Sequence, residues 1–567
     1  MYVKSTTVRA GKKSYRYLTL VESFRDGPRV RQRVVARLGE EFELIASGEL
    51  DRIVDALSGR LGRSGASQLS AESAPAFGGV AAVAAYFSRL SLGELFGAAG
   101  KKRRARLVPD AVLAMVANRL VLPSSKRRTI TDWLGNDVAL PEGVGLPSLD
   151  QCYRALDVIA EQKDEIETHC YARLTDLSNL DLRLCCYDVT SSYLEGDPRP
   201  SARFSSKAFG YSRDHRKDRP QIVIGLLVTS DGIPIAHHVF AGNASDVTTL
   251  PAVMADYQAR FGVGRIALVA DRGLISEDNL AEVAEAGFDH VLATRLHNDS
   301  EVEAVLKAAN LADLSWIALK DLHCAAAEVV TGDRRFVVVD SPARKARDDA
   351  RHDELMGKTE QKLIALAERV SAGRLVEAAR IGAAADRILR DSGVGRCFVT
   401  TIRDGLFSWD YDQAAYHYDT ELLAGRYVIA TSLGVEQAST ADVVRHYRAL
   451  QRVEARFRVL KDFLGLRPVY HFTEARVRGH IAICVLAAVV EAVMAKDLAA
   501  AAVMDPDLEN QVITPRRALG ELDRIRQVSL DVHGRSIKVI TRRNTLQAKI
   551  LTAFGVNTAS WDKADIA

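Results

Sequence analysis

Residues 182–294 hold the succession that most narrows the folds open to this chain. The run Leu182-Arg183-Leu184-Cys185-Cys186-Tyr187-Asp188-Val189-Thr190 is short, apolar and rich in strand formers, with one carboxylate near its end, which predicts a buried strand. A polar loop with Arg213, Asp214, His215, Arg216, Lys217 and Asp218 follows. Residues 221–229 and 233–241 read as two strands joined by Ser230-Asp231-Gly232, a glycine-containing turn, so the three strands form an antiparallel meander. Helical periodicity over 247–261 leads to a strand at 265–270 that ends on Asp271-Arg272-Gly273. A second helix over 277–286 and a strand at 290–294 complete the series. The order β-β-β-α-β-α-β predicts an α/β core.

The remainder of the 567 residues exceeds what one hydrophobic core usually holds, so several domains are expected. Residues 15–21 and 30–38 alternate apolar and polar side chains about Arg25-Asp26-Gly27-Pro28, turn chemistry that predicts a β-hairpin. Residues 1–40 carry ten Lys and Arg against Glu22, Asp26 and Glu40, so residues 1–46 form a basic N-terminal domain. Helical periodicity then marks a module over 47–180, with basic clusters at 101–106 and 126–128. The core is expected in two halves, 181–296 and 436–500. A mixed, β-rich inserted domain over 297–435 separates them, and a basic region over 501–567 follows.

Net charge is +3, from 76 Lys and Arg against 73 Asp and Glu, a balance that neither demands nor excludes a polyanionic partner. The seven cysteines lie without any Cys-x-x-Cys pair, which argues for reduced, buried thiols, no disulfide framework and no zinc site. The most apolar window, 481–494, is too short to span a bilayer and contains Glu491. With no signal-peptide pattern at the start, a soluble cytoplasmic protein without membrane partners is expected.

Three carboxylates stand out by placement: Asp188 on the first strand, Asp271 after the fourth, and Glu454 in a helix starting near position 441. Two Asp and one Glu suit a hard divalent cation, whereas zinc favours nitrogen and sulfur. Each alone has a plainer reading, as a turn, a helix entry and a solvated helix face. The helix shifts that balance. At about 100° per residue a step of seven drifts by only about 20°, so Tyr447, Glu454 and Lys461 share a face, with Arg458 about 40° from Glu454. One face therefore offers a metal ligand flanked by candidate DNA-phosphate binders, Tyr447, Arg458 and Lys461.

Tyr447, Glu454 and Lys461 resemble the Tyr-Arg-Glu-Lys signature of bacterial insertion-sequence DDE transposases of the IS-four-like group. Tyr187-Asp188-Val189-Thr190 resembles the family's first-aspartate strand, and Ala270-Asp271-Arg272-Gly273 its second-aspartate motif. Gly242-Asn243-Ala244-Ser245-Asp246 resembles the segment after the third strand. The signature Arg falls on Leu450, with Arg448 and Arg452 on either side, which leaves that role unassigned. Positions 188 and 271 are 83 apart, and 271 and 454 are 183 apart, room for the domain this family commonly inserts. The resemblance implies an RNase H-like core in which Asp188, Asp271 and Glu454 hold Mg²⁺ or Mn²⁺, two ions, and act as catalytic residues. It implies cleavage and strand transfer on double-stranded DNA, terminal inverted repeats and target alike, with the basic hairpin and the helical module over 47–180 binding the repeats, by a homodimer that is nucleoid-associated when bound.

Three other readings stay open. A non-transposing RNase H-like nuclease such as a junction resolvase would use the same carboxylates. A silent, transposase-derived DNA-binding protein would use the basic faces alone. A metal-free glycosidase with paired carboxylates leaves the basic regions unexplained. Asp214 and His215 read as a solvated loop in preference to one that approaches DNA, and His169-Cys170 and His323-Cys324 as packing residues.

Overall fold

The computed structural model describes residues 2–566 except 11–12, 27–28, 41–42, 45–46, 48–68, 99–107, 179–183, 197–203, 262–265, 272–280, 282, 286, 295–304, 307–313, 333, 533–534 and 562–564. The basic cluster at 101–106, Gly27-Pro28, Arg272-Gly273 and most of the helix expected over 277–286 thus lie outside the described residues.

The chain opens with three antiparallel strands, β1 (Tyr2–Ala10), β2 (Lys13–Asp26) and β3 (Arg29–Glu40). The expected hairpin is β2–β3. β1 escaped the sequence reading because Ser5, Thr6 and Thr7 are all exposed and give it no apolar face. Arg16, Arg25, Arg31, Arg33 and Arg37 are also exposed, a basic surface suited to phosphates.

After β4 (Leu69–Ser73) come helices α1 (Gly78–Arg89), α2 (Leu92–Ala98), α3 (Val108–Val121), α4 (Leu149–Glu161) and α5 (Lys163–Ser178). The meander follows as β5 (Leu184–Tyr193), β6 (Gln221–Thr229) and β7 (Pro234–Ala241). Next are α6 (Asp246–Phe261), β8 (Ile266–Asp271) and β9 (Phe288–Thr294). Both β8 and β9 run parallel to β5, in the spatial order β7-β6-β5-β8-β9.

The sheet does not stop at β9. Strands β10 (Ile317–Leu319), β11 (Cys324–Thr331) and β12 (Arg334–Asp340) lie beyond it. Between β12 and β9 sits a much later strand, so the nine-stranded sheet ends β9, that strand, β12, β11, β10. The segment separating them in sequence is α7 (Pro342–Ser371), α8 (Ala378–Arg390) and the hairpin β13 (Phe398–Arg403)–β14 (Leu406–Tyr411). These pack a small core of their own from Leu363, Leu366, Ile381, Phe398 and Phe407. The late strand is β15 (Arg426–Thr431), paired with β12 from Arg335↔Thr431 to Asp340↔Arg426. The reading of 297–435 as one β-rich insert is therefore divided. Its strands at 317–340 and 426–431 extend the main sheet, and the part that stands apart is largely helical. Pairing across such a span leaves no local pattern to read.

Two helices return to the sheet, α9 (Thr440–Arg458) and α10 (Glu474–Ala500), followed by α11 (Pro515–Leu522), β16 (Gln527–Val532), β17 (Arg535–Ile540), α12 (Thr545–Ala553) and β18 (Asp565–Ile566). Strands β18-β17-β16-β4 make a second sheet, whose Val528, Leu530 and Ile537 pack with Leu20 and Ala36 of the N-terminal strands. Among the described residues no helix is long and apolar enough to cross a membrane.

α10 is apolar on every side, with Ile481, Cys484, Ala487, Val490 and Met494 all buried, and such a helix needs neighbours all round. α3, α4 and the sheet supply them. One hydrophobic core consequently runs from Ala76 to Trp561, whose ring meets Phe77 edge-on at 5.2 Å. The helices expected as a separate module over 47–180 are part of this core. Their basic cluster at 126–128 is split accordingly: Arg127 and Arg128 are exposed, but Lys126 is buried and bonded to His480 Nδ1 at 2.6 Å.

The tightest crossing in this core is at Gly479 of α10, where an added Cβ would collide with the Leu156 carbonyl oxygen of α4. Gly479→Ala is expected to lower stability by about 3 kcal/mol, the upper range for overpacking. Gly520, on the exposed face of α11 with open space around it, should do the opposite, gaining roughly 0.5–1 kcal/mol as Ala. Thermal unfolding of the two variants checks this, and equal shifts would refute the close approach.

Candidate active site

β5 is buried along nearly its whole length, and Asp188 is the half-buried exception inside it. The sequence reading set Asp188 near the strand's end, but β5 continues to Tyr193, so Asp188 is mid-strand. Its position is nonetheless an end of another kind. The parallel pairing with β8 stops at Cys186↔Val269, and continuing that register by two residues sets Asp188 beside Asp271, the last residue of β8. In-register neighbours on adjacent strands lie about 5 Å apart. On that extrapolated register the first two candidate acids fall opposite each other where β5 parts from β8, near the carboxyl ends of parallel strands, the usual place for sites in open α/β sheets. The side chain of Asp271 lies outside the described residues. Asp188 Oδ1 accepts the Val189 N–H at 2.7 Å. Tyr187, on the opposite face, donates to Thr249 Oγ1 at 2.9 Å, and Gly225 on β6 leaves room for its ring.

The third candidate acid, Glu454, lies on α9, which starts with a capping box: Ser439 Oγ accepts the Asp442 N–H, and Asp442 answers to the Ser439 N–H. That reciprocal cap fixes the helix start. Val443, Val444, Leu450, Val453 and Phe457 of α9 share the core that holds Cys186, Val269 and Val291. The helix therefore lies on the face of the sheet to which Cys186 points, and Asp188, two residues on, shares that face by strand alternation. Glu454 is exposed beside this apolar stripe.

The same stripe accounts for Leu450, which is buried where the resembling signature has Arg. Arg448 donates to the Leu322 carbonyl at 2.7 Å and Arg452 lies 3.6 Å from Asp231, so both flanking arginines are engaged in the scaffold. Arg458 is exposed. Tyr447 is half-buried with its ring 5.5 Å from that of Tyr427.

Lys461 departs from the ideal helix on which its alignment with Glu454 was argued. α9 ends at Arg458 and residues Val459–Phe463 form a π-turn, which changes the angular step of the side chains; such turns recur at functional sites. Within it Lys461 Nζ donates to Asp214 Oδ1 at 2.8 Å, and Arg467 pairs with the same oxygen. Burial draws the Lys461 ammonium below the usual lysine range, against the pull of Asp214. Asp214 itself is a correction: its side chain is 4% exposed, a buried anchor rather than a solvated loop residue. His215 beside it is exposed. The Arg213 N–H donates to the buried Ser191 Oγ at 2.8 Å, tying the loop to the end of β5. Gly210 and Gly242 let this loop cross the end of β7, since a Cβ on either would run into carbonyl oxygens of the other strand or loop. The Asp214–Lys461–Arg467 cluster was missed because its members are some 250 positions apart, and only the glycine in the Gly242 segment hinted at a close crossing.

The candidate donors are all oxygen, with Asp188 half-buried and Glu454 exposed, a chemistry that fits a hard divalent cation open to a large substrate. Two family models match the chain. Residues 3–69 match the IS1634 family transposase, N-terminal domain, and residues 180–490 match the transposase DDE domain. No curated protein matches it. Transposases with this domain have an RNase H-like fold and use divalent metal ions, generally Mg²⁺. Since the DDE model spans more than half of the sequence, the chain belongs to the DDE transposases, enzymes that catalyse phosphoryl transfer in DNA.

Proposed function

We propose that this transposase, of the IS-four-like Tyr-Arg-Glu-Lys kind, binds the terminal inverted repeats of its element and cleaves and joins DNA strands at Asp188, Asp271 and Glu454. What supports the reading is that the β5–β8 register, continued two residues past its last pair, brings Asp188 opposite Asp271, and that the helix of Glu454 packs on the face that Asp188 shares. The three carboxylates would hold two Mg²⁺ or Mn²⁺ ions. When bound, such ions activate the attacking hydroxyl and offset charge on the leaving oxygen.

The chain's own residues supply the rest. Arg458, exposed one turn beyond Glu454, meets a phosphate near the carboxylates. Tyr447 and Lys461, the other two DNA-binding candidates, orient the helix through Tyr427 and Asp214. The exposed arginines of β2 and β3 bind the end sequence largely through phosphates. A homodimer would hold two ends together, so that each freed 3′-hydroxyl reaches its target.

The test is a labelled duplex carrying the neighbouring inverted-repeat end, incubated with the purified chain in Mg²⁺ and in chelator. Metal-dependent 3′-hydroxyl formation at the element boundary, with joint molecules when a second duplex is added, is the expected result. Binding without cleavage in Mg²⁺ or Mn²⁺ would instead make the chain a silent DNA-binding descendant. Nicks without strand joining would make it a nuclease.

A further inference from the structure

The largely helical segment between β12 and β15 has no assigned role, yet it brings three potential metal ligands together. His352 comes from α7, Cys397 directly precedes β13, and Asp419 lies in the π-turn Tyr418–Leu423. Cys397 is fully buried and Asp419 is 7% exposed. His352 Nε2, Cys397 Sγ and Asp419 Oδ2 form a closed triangle, with separations of 3.8 Å (N to S), 3.2 Å (S to O) and 3.7 Å (N to O).

Two arguments favour a metal over a hydrogen-bonded trio. Hydrogen bonding fills such a triangle poorly: Nε2 faces both the thiol and the carboxylate, and one ring nitrogen has a single donor or acceptor site. A relay would also place the imidazole between thiol and carboxylate, whereas here the thiol meets the carboxylate directly. The dimensions, in turn, match an ion. Zinc bonds of about 2.3 Å to sulfur and 2.0–2.2 Å to nitrogen and oxygen, at tetrahedral angles, put ligand atoms roughly 3.3–3.6 Å apart. The three measured edges lie within a few tenths of an ångström of that.

We propose that His352, Cys397 and Asp419 bind one Zn²⁺ ion, with solvent in the fourth position. The mixed sulfur, nitrogen and oxygen set selects zinc over the Mg²⁺ suited to an all-oxygen site. Binding forms the sulfur–zinc bond and releases the Cys397 thiol proton to solvent. Arg396 already grips both Asp419 oxygens, Nε to Oδ2 at 3.1 Å and its other nitrogen to Oδ1. Each carboxylate oxygen has a second lone pair, so the guanidinium becomes the outer partner that orients a ligating carboxylate. The Tyr416 ring packs edge-on against the imidazole at 5.3 Å. The ion would tie the long helix α7 to the β13–β14 hairpin and to the turn that feeds β15. The ligands are 45 and 22 positions apart, which is why cysteine spacing predicted no zinc site.

Cobalt(II) titration of the reduced, metal-stripped full chain tests this independently of transposition, because the carboxylate site has no sulfur to give a thiolate signal. One equivalent of Co²⁺ should produce a thiolate-to-cobalt charge-transfer band and the intense visible bands of a four-coordinate ion, both bleached by one equivalent of Zn²⁺. Asp188→Asn combined with Glu454→Gln should retain the bands. Cys397→Ser should lose the charge-transfer band, and His352→Ala should weaken binding about 10²-fold or more. A wild-type titration without that band overturns the proposal even where a variant fails to fold, and so does a band that survives Cys397→Ser.

Discussion

Glu454→Gln is expected to lower the rate of DNA cleavage about 10³-fold or more, while end binding and folding stay unchanged. Each tenfold corresponds to about 1.4 kcal/mol of barrier, and loss of a carboxylate that holds a catalytic ion removes several. The exposed position of Glu454 makes the fold indifferent to the amide, since surface substitutions usually shift stability by less than about 0.5 kcal/mol. Asp188→Asn should match it, because the amide oxygen can still accept the Val189 N–H while the charge is gone. The double variant should be little slower than either single one, as residues of one metal-binding unit act together. Arg452→Ala, on the same helix but engaged with Asp231, is the control and should cut DNA at the wild-type rate. Single-turnover cleavage with a parallel gel-shift assay reads all four. A Glu454→Gln enzyme within tenfold of wild type would remove Glu454 from the site.

Stability should rise with pH between about 7 and 10 because of one buried lysine. Burial pushes the Lys126 ammonium down to about 7, with the nearby charge of Arg119 adding to the effect. Burial and the same cations hold His480 well below the usual histidine range, so its neutral ring accepts from Lys126 at Nδ1 and donates from Nε2 to the Leu466 carbonyl at 3.0 Å. The folded pKa is lowered, so above about 7 the native state has released a proton that the unfolded chain keeps until about 10.4. Unfolding free energy therefore climbs across that window, by about 5 kcal/mol in total, and is least below pH 7 where the core must carry the charge. Lys126→Met removes this climb. At pH 6 the variant should be the more stable, and at pH 9.5 the less stable by about 1 kcal/mol, having lost the bond to His480. Denaturant unfolding of both proteins across this range gives two curves that should cross; parallel curves would show that Lys126 does not titrate in the core.

Lys126 also illustrates what a linear chain conceals. Lys126-Arg127-Arg128 reads as one basic cluster, yet its first member faces α10 and its neighbours face water, a distinction made by partners some 350 positions away. The five strands from β5 to β9 were legible because each is a short apolar run bounded by turn residues, and the spacing of runs gave their order. Asp188 and Asp271 stood out as carboxylates in such runs. What escaped notice depends on long-range pairing. β12 and β15 form one sheet across the helical segment, Asp214 is buried by a lysine and an arginine 247 and 253 positions further along the chain, and the π-turn at Val459–Phe463 breaks the regular step on which the Lys461 alignment rested. Leu450 was legible in reverse: its departure from the signature that the helix resembles is the packing requirement of a helix laid on a sheet.

The continuous core has a consequence for how the enzyme comes into being. Phe554 packs on Tyr86 and Trp561 on Phe77, so the first helices find these neighbours only after more than 450 further residues have been made. Long-range closure of this kind is slow and leaves apolar surface open meanwhile. A chain stopped before residue 554 would lack those contacts and leave the apolar side of α1 uncovered, a surface open to proteolysis.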